Sequence, residues 1–248
     1  MTKVFVHGNP ETPAVWRLLV AELAALGVED VVTLATPGFG APLDGFDPTA
    51  ENYVTWLHEQ VRAIDGPIDL VGHDWGTGHV LGLVASQPES VRSWAADILG
   101  LIHPDYVWHD AAQSWRTPGD GEAAMEVMTS LPKPDLTGVY EGLGLPSDIA
   151  ADLAAGMNQD MATAILRLYR SAGEDELEAL GRRMADSSVP GLAINATGDP
   201  YVNAGLTASM AHTVGAEQLV LDGHGHWWMT SAQADAAAGL AAFWAGLD

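Results

Sequence analysis

The heptapeptide Leu70-Val71-Gly72-His73-Asp74-Trp75-Gly76 leaves the chain few folds to choose from. An apolar run, Ile68 to Val71, enters a turn with glycine two residues before and two residues after an aspartate, and a helical pattern follows. A turn this tight has no room for side chains beside the central backbone, which is why small residues flank it. It lifts the Asp74 side chain above the end of its strand and leaves the next backbone N–H free to hold an oxyanion. An acidic residue in a glycine-rich turn also serves as a plain helix cap. The motif carries chemistry only if partners for Asp74 stand elsewhere in the chain.

The surrounding pattern predicts a parallel sheet. Val4-Phe5-Val6 reads as a buried strand ending in the turn His7-Gly8-Asn9-Pro10, and Thr12-Pro13 starts a helix whose stripe is Val15, Leu19, Leu23 and Leu26. Val31 to Leu34 is a second strand, Val54, Leu57, Val61 and Ile64 a second helical stripe, and Ile68 to Val71 a third strand. After a helix to about Ser86 comes a strand near Ser93 to Leu99. Strand and helix alternating at this pitch places helices on both faces of a mostly parallel sheet. From about His103 to Ser188 the alternation stops, and helical stretches are broken at Leu131-Pro132-Lys133-Pro134 and Leu145-Pro146. It returns with Gly191 to Asn195, a helix, Gln218 to Leu221 and a last helix from about Ser231. The expected organisation is an α/β core of residues 1–102 and 189–248, interrupted by a helical cap at 103–188.

Composition narrows the function. The chain has 33 acidic against 10 basic residues, a formal charge of −23. Such a surface repels phosphate backbones, which argues against nucleic acid and weakly favours neutral substrates. With no cysteine there is no disulfide, thiolate metal site or cysteine nucleophile. No apolar run reaches the roughly 18 residues that span a bilayer, and the start Met1-Thr2-Lys3-Val4 enters a strand pattern without a signal peptide, so the cytoplasm is the expected location.

A carboxylate attacks an sp3 carbon directly and forms an alkyl ester. Hydrolysing that ester needs water activated by a histidine, itself held by a carboxylate. His226, in Leu221-Asp222-Gly223-His224-Gly225-His226-Trp227, lies between a strand and the last helix and is the expected base in preference to His224. Asp199, in Ala196-Thr197-Gly198-Asp199-Pro200, leaves the end of another strand and is the expected orienting acid. Its rival Asp97 lies inside the predicted strand, and Asp222 reads as a turn residue. Trp227 and Trp228 read as packing.

The order nucleophile, insertion, acid, histidine is similar to that of the α/β-hydrolase fold. With aspartate as nucleophile, the chain resembles the group that holds haloalkane dehalogenases and epoxide hydrolases. That resemblance implies a cofactor-free and metal-free hydrolase acting on a small neutral organic substrate and water. His7-Gly8-Asn9-Pro10 looks like the dehalogenase oxyanion loop, with asparagine where epoxide hydrolases usually carry an aromatic residue. By that likeness Asn9 and Trp75 would hold the departing halide. The segment Gln113-Ser114-Trp115-Arg116-Thr117 is similar to dehalogenase caps. Leu168-Tyr169-Arg170 instead resembles the cap step where epoxide hydrolases place a proton-donating tyrosine; their second cap tyrosine is not evident, since no motif places Tyr106 or Tyr140 in that position. The opening hairpin usual in both families is missing. Haloalkane dehalogenase is the favoured expectation, epoxide hydrolase the alternative. A ligand-binding receptor on the same fold is the non-enzymatic one, though a binder has no need of a complete triad.

Overall fold

The alternating segments resolve into a six-stranded parallel sheet in a computed structural model that describes residues 1–86 and 88–247. Its strands are β1 (Thr2–Val6), β2 (Val31–Leu34), β3 (Ile68–Gly72), β4 (Val91–Ala96), β5 (Gly191–Ala196) and β6 (Glu217–Leu221), in the order β2-β1-β3-β4-β5-β6. Register pairs Val6 with Gly72, Gly72 with Ala96, and Ala96 with Ala193. The strand order reverses direction between β1 and β3, so the loops leaving them diverge and open a crevice at their C-terminal ends. Both loops that the sequence singles out, at Gly8 and at Asp74, start at that crevice.

Strand period two sends alternate side chains to opposite faces. Phe5 and Val71 face one cluster, which includes Leu19 and Leu23 of α1 (Arg17–Ala25) and Leu240 and Phe243 of α12 (Gln233–Gly246). Val4, Val6 and Leu70 face the other, with Leu57 of α2 (Ala50–Arg62), Leu81 of α3 (Trp75–Val84) and Met210 of α10 (Ala204–Thr213). The first predicted helix splits in two. Thr12 caps a 3₁₀ turn at Pro13–Trp16 before α1 begins, and Leu26, the last member of its stripe, is exposed.

The strand near Ser93 to Leu99 needs correction. It runs from Val91 to Ala96, Ile98 adopts left-handed backbone with φ 40°, and Leu99–Ile102 forms a 3₁₀ turn. These residues are apolar because α10 and the end of the following helical segment cover them, and burial without a sheet partner looks like a strand in sequence. Asp97 therefore lies beyond the strand end. Six helices follow before β5: α4 (Asp110–Arg116), α5 (Asp120–Ser130), α6 (Lys133–Gly142), α7 (Ser147–Gly156), α8 (Gln159–Ser171) and α9 (Glu174–Ala185). A short helix, α11 (Trp228–Ser231), precedes α12. Among the described residues no helix is long and apolar enough to cross a membrane.

Candidate active site

Asp74 sits at the tip of the β3–α3 turn with φ 50° and ψ −124°, a conformation L-residues rarely adopt. Holding it costs about 1–3 kcal/mol, and surrounding structure must supply that. Asp97 contributes by accepting the Asp74 backbone N–H at 3.0 Å. Close approach requires glycine at Gly76, where a Cβ would lie 2.0 Å from the Val6 carbonyl oxygen, and at Gly8 of the β1 loop, where one would lie only 2.2 Å from Asp74 Cβ.

Three loops deliver the predicted triad to one place. The Asn9 backbone N–H donates to Asp74 Oδ1 at 2.8 Å, and His226 Nε2 stands 3.9 Å from Asp74 Oδ2. On the other side of the ring, His226 Nδ1 is 2.8 Å from Asp199 Oδ2, while Asp199 Oδ1 accepts the Tyr201 N–H at 2.7 Å. That bond fixes the ring so that Nε2 faces Asp74. The unselected neighbours do other work: His224 meets the Ser231 hydroxyl and Asp222 accepts from Thr197.

Burial is the largest influence on Asp74 and pushes its carboxyl up to about 6, with the charges of His226 and His73 pulling the other way. Burial also disfavours the His226 imidazolium, but the hydrogen bond and charge of Asp199, helped by the charge of Asp74, raise it above the ordinary histidine value. Asp199 itself is held low despite its burial, chiefly by the hydrogen bond to His226. A carboxylate nucleophile, a basic imidazole and an ionised orienting acid are the protonation states that ester chemistry needs.

A cavity of about 340 Å³ reaches from Asp74, Asn9 and His226 to the surface between α5 and α6. Among the described residues Asp74 is the only Asp, Glu, Lys or Arg in its wall, and the exposed Val127, Val139 and Leu143 lie along it. Tyr140 lines it and donates to the Pro10 carbonyl at 3.0 Å. Tyr169 is buried, edge-on to Trp75 at 5.3 Å between ring centroids, and Arg116 of the Gln113–Thr117 segment donates to its carbonyl at 2.7 Å. A second recess beside Asp74 is lined by Trp75, Tyr106, Trp108 and Tyr169. Burial raises both tyrosine hydroxyls, and the Asp74 charge adds to it, so both stay protonated at neutral pH. The Asn9 side-chain N–H group is buried and has no partner among the described residues.

Sequence reasoning missed what lies under the triad. His73 Nδ1 meets Asp97 Oδ2, and His73 Nε2 is 3.1 Å from Glu11 Oε1. Trp227 and Trp228, read as packing, donate their indole N–H groups to Glu11 and Asp97, and Trp227 also lines the cavity. Glu11, His73 and His226 bring three ligand-type atoms within 4.8 Å of one another. Each His73 nitrogen also faces a carboxylate oxygen, and a His73 protonated on both nitrogens would have no lone pair to offer a metal ion. His73 was visible as the neighbour of Asp74; nothing in the spacing of Glu11 marked it.

The Alpha/beta hydrolase family matches residues 4–240. A haloalkane dehalogenase of Mesorhizobium japonicum is 30% identical over 131 residues, which cover 49% of this chain and 41% of that protein. The chain thus spans less than half the length of the curated relatives it matches, the second, a haloalkane dehalogenase of Bradyrhizobium diazoefficiens, being covered to 44%. Among solved structures, the haloalkane dehalogenase DbeA from Bradyrhizobium elkani superposes with a TM-score of 0.76 at 23% identity, covering 99% of this chain and 91% of that one. At that identity the likeness establishes the fold.

Proposed function

Because the chain belongs to the alpha/beta hydrolase family, we propose that it hydrolyses small neutral organic molecules through an alkyl ester on Asp74, with a carbon–halogen bond as its target. The helical segment 103–188 acts as a cap over a core of 1–102 and 189–248. Asp74 attacks carbon while the leaving group departs toward the Asn9 and Trp75 side chains. Neutral His226, oriented by Asp199, takes a proton from water, and that water attacks the ester carbonyl. Backbone N–H groups of Asn9 and Trp75 hold the oxyanion; the Trp75 N–H begins its helix and has no helical acceptor. The bond between the Asp74 carbonyl carbon and the oxygen it gave to the alkyl group then breaks, and the alkoxide leaves as an alcohol with the proton His226 took from water.

The observation that carries this reading is the unpartnered Asn9 side-chain N–H, buried beside a nucleophile that the Asn9 backbone already holds. A buried donor without an acceptor costs about 1–3 kcal/mol. A departing halide would satisfy it without needing a proton. Dehalogenase names among the relatives support the same choice.

A second reading, epoxide hydrolysis, is favoured by Tyr169 and Tyr106, protonated and near Asp74. Opening an epoxide leaves an alkoxide, which needs an acid where a halide needs none. Parallel halide-release and diol-formation assays on the purified protein separate the two. For a haloalkane, Asn9→Ala should slow ester formation about tenfold to a hundredfold, the loss of one charge-assisted hydrogen bond, and Tyr169→Phe should change it by less than about fivefold, since general acid catalysis is not used. Diol formation without halide release, with Tyr169→Phe slower by about a hundredfold, would reverse the assignment.

A further inference from the structure

Directly beneath Asp74 and His226 lies a row of three ionisable side chains that the ester mechanism has not used. Glu11, His73 and Asp97 are 0%, 0% and 2% exposed. Each nitrogen of the His73 ring faces a carboxylate oxygen, Asp97 on one side and Glu11 on the other. A neutral imidazole has one N–H and one lone pair, so one of these contacts would set a lone pair against a carboxylate. The proton that resolves this has only one place to sit. Glu11 already accepts the Gly8 N–H at 3.1 Å and the Trp227 indole at 2.5 Å. Asp97 accepts the Asp74 N–H at 3.0 Å, the Thr77 hydroxyl at 3.1 Å and the Trp228 indole at 2.6 Å. Every one of these neighbours of the two carboxylates is a donor, the two His73 nitrogens complete both sets, and His73 carries both protons.

We propose that His73, clamped as an imidazolium between Glu11 and Asp97, is a positioning residue whose fixed charge keeps Asp74 ionised for attack and His226 free to accept a proton. This rests on the ester reading above. The His73 ring centroid is 4.6 Å from that of His226, and His73 precedes Asp74 in the chain. Inside a water-poor site, charge at that range is felt strongly. An imidazolium there opposes a second positive charge on His226 and favours a negative one on Asp74. Asp97 adds a geometric role, since its other oxygen holds the backbone of the strained nucleophile.

The other titratable groups facing this cluster are few. His7 comes from the β1 loop and is kept neutral by burial. Asp199 and Tyr201 come from the β5 loop, Tyr140 of α6 feels the Glu11 charge, and His109 from the helical segment faces His226. None of them touches the His73 nitrogens.

Two variants move the charge in opposite directions. His73→Gln deletes the cation and leaves two buried anions, so His226 and Asp74 both hold protons to higher pH. Glu11→Gln deletes an anion and leaves His73 on Asp97, so both release protons at lower pH. A purely structural role for the cluster would lower stability without producing opposite signs. The readout is ¹⁵N-detected imidazole titration of the free protein, which needs no substrate and so stands whether or not the ester chemistry does. In the parent, both His73 nitrogens should remain protonated through neutral pH. The His226 midpoint should rise by about one unit or more in His73→Gln and fall by about one unit in Glu11→Gln, as expected for one charge added or removed at this range. Single-turnover ester hydrolysis should shift along pH with it. A neutral His73 tautomer in the parent at pH 7 would overturn the proposal, and that spectrum decides even if His73→Gln does not fold. An unmoved His226 midpoint in folded Glu11→Gln, with circular dichroism as the check, would overturn it too.

Discussion

Asp74→Asn is expected to lower turnover by about four powers of ten or more, the scale of damage to a catalytic unit whose members act together. The amide is a far weaker nucleophile than the carboxylate, and no other acidic side chain among the described residues lines the cavity. Both Asp74 oxygens matter. One is held by the Asn9 N–H at 2.8 Å, which leaves the other, 3.9 Å from His226, to attack. Single-turnover ester formation is the measurement, with mass spectrometry to exclude deamidation back to aspartate. Activity within about tenfold of the parent would remove Asp74 from the role, since triad losses are far larger. In the parent the same step should fail on the acid side. The Asp74 carboxyl is pushed up to about 6 by burial, so below that pH it is a carboxylic acid and cannot attack.

His226→Gln is expected to stop the second chemical step while sparing the first. The glutamine can still occupy the space beside Asp199, but it cannot take a proton from water. Halide or epoxide oxygen should be displaced once per protein molecule, and the alkyl ester should then persist. The peptide bearing Asp74 should gain the mass of the substrate, less hydrogen halide for a haloalkane. Turnover at the parent rate would contradict His226 as the base. In the free protein Asp199 and Asp74 raise the His226 imidazole above its ordinary value against the effect of burial, but in the alkyl ester Asp74 is uncharged and only Asp199 opposes burial, so the hydrolytic step should weaken as falling pH protonates the imidazole. The sign follows from the role: the base works only when neutral.

Much of the core and the triad was legible because each part leaves a local signature. Gly72 and Gly76 announce the turn at Asp74, and His226 and Asp199 each follow a strand run that ends in glycine-containing sequence. The parallel order followed from helices spaced between apolar runs. What escaped was whatever depends on several distant segments converging. Glu11 sits between a proline and a threonine with no periodic context, yet meets Gly8, His73 and Trp227. Asp97 was hidden by the apolar Ile98 to Ile102, whose burial comes from neighbouring helices rather than from a sheet. The indoles of Trp227 and Trp228 are indistinguishable from packing until their N–H groups are given direction. Tyr169 illustrates the same limit: the step Leu168-Tyr169-Arg170 stands out in the sequence, but its edge-on contact with Trp75 depends on where α8 crosses the β3–α3 turn.

The central claim is that the oxygen delivered to the substrate is an Asp74 oxygen rather than one taken directly from water. Isotope labelling in a single turnover decides it. With protein in excess over a haloalkane in ¹⁸O-water, Asp74 attacks with its own ¹⁶O, and labelled water then enters at the ester carbonyl carbon. The first alcohol released should be unlabelled, and the Asp74 peptide should become heavier by one ¹⁸O-for-¹⁶O exchange. Labelled alcohol with an unlabelled Asp74 peptide would mean that water attacks the substrate carbon itself, and would contradict the covalent account.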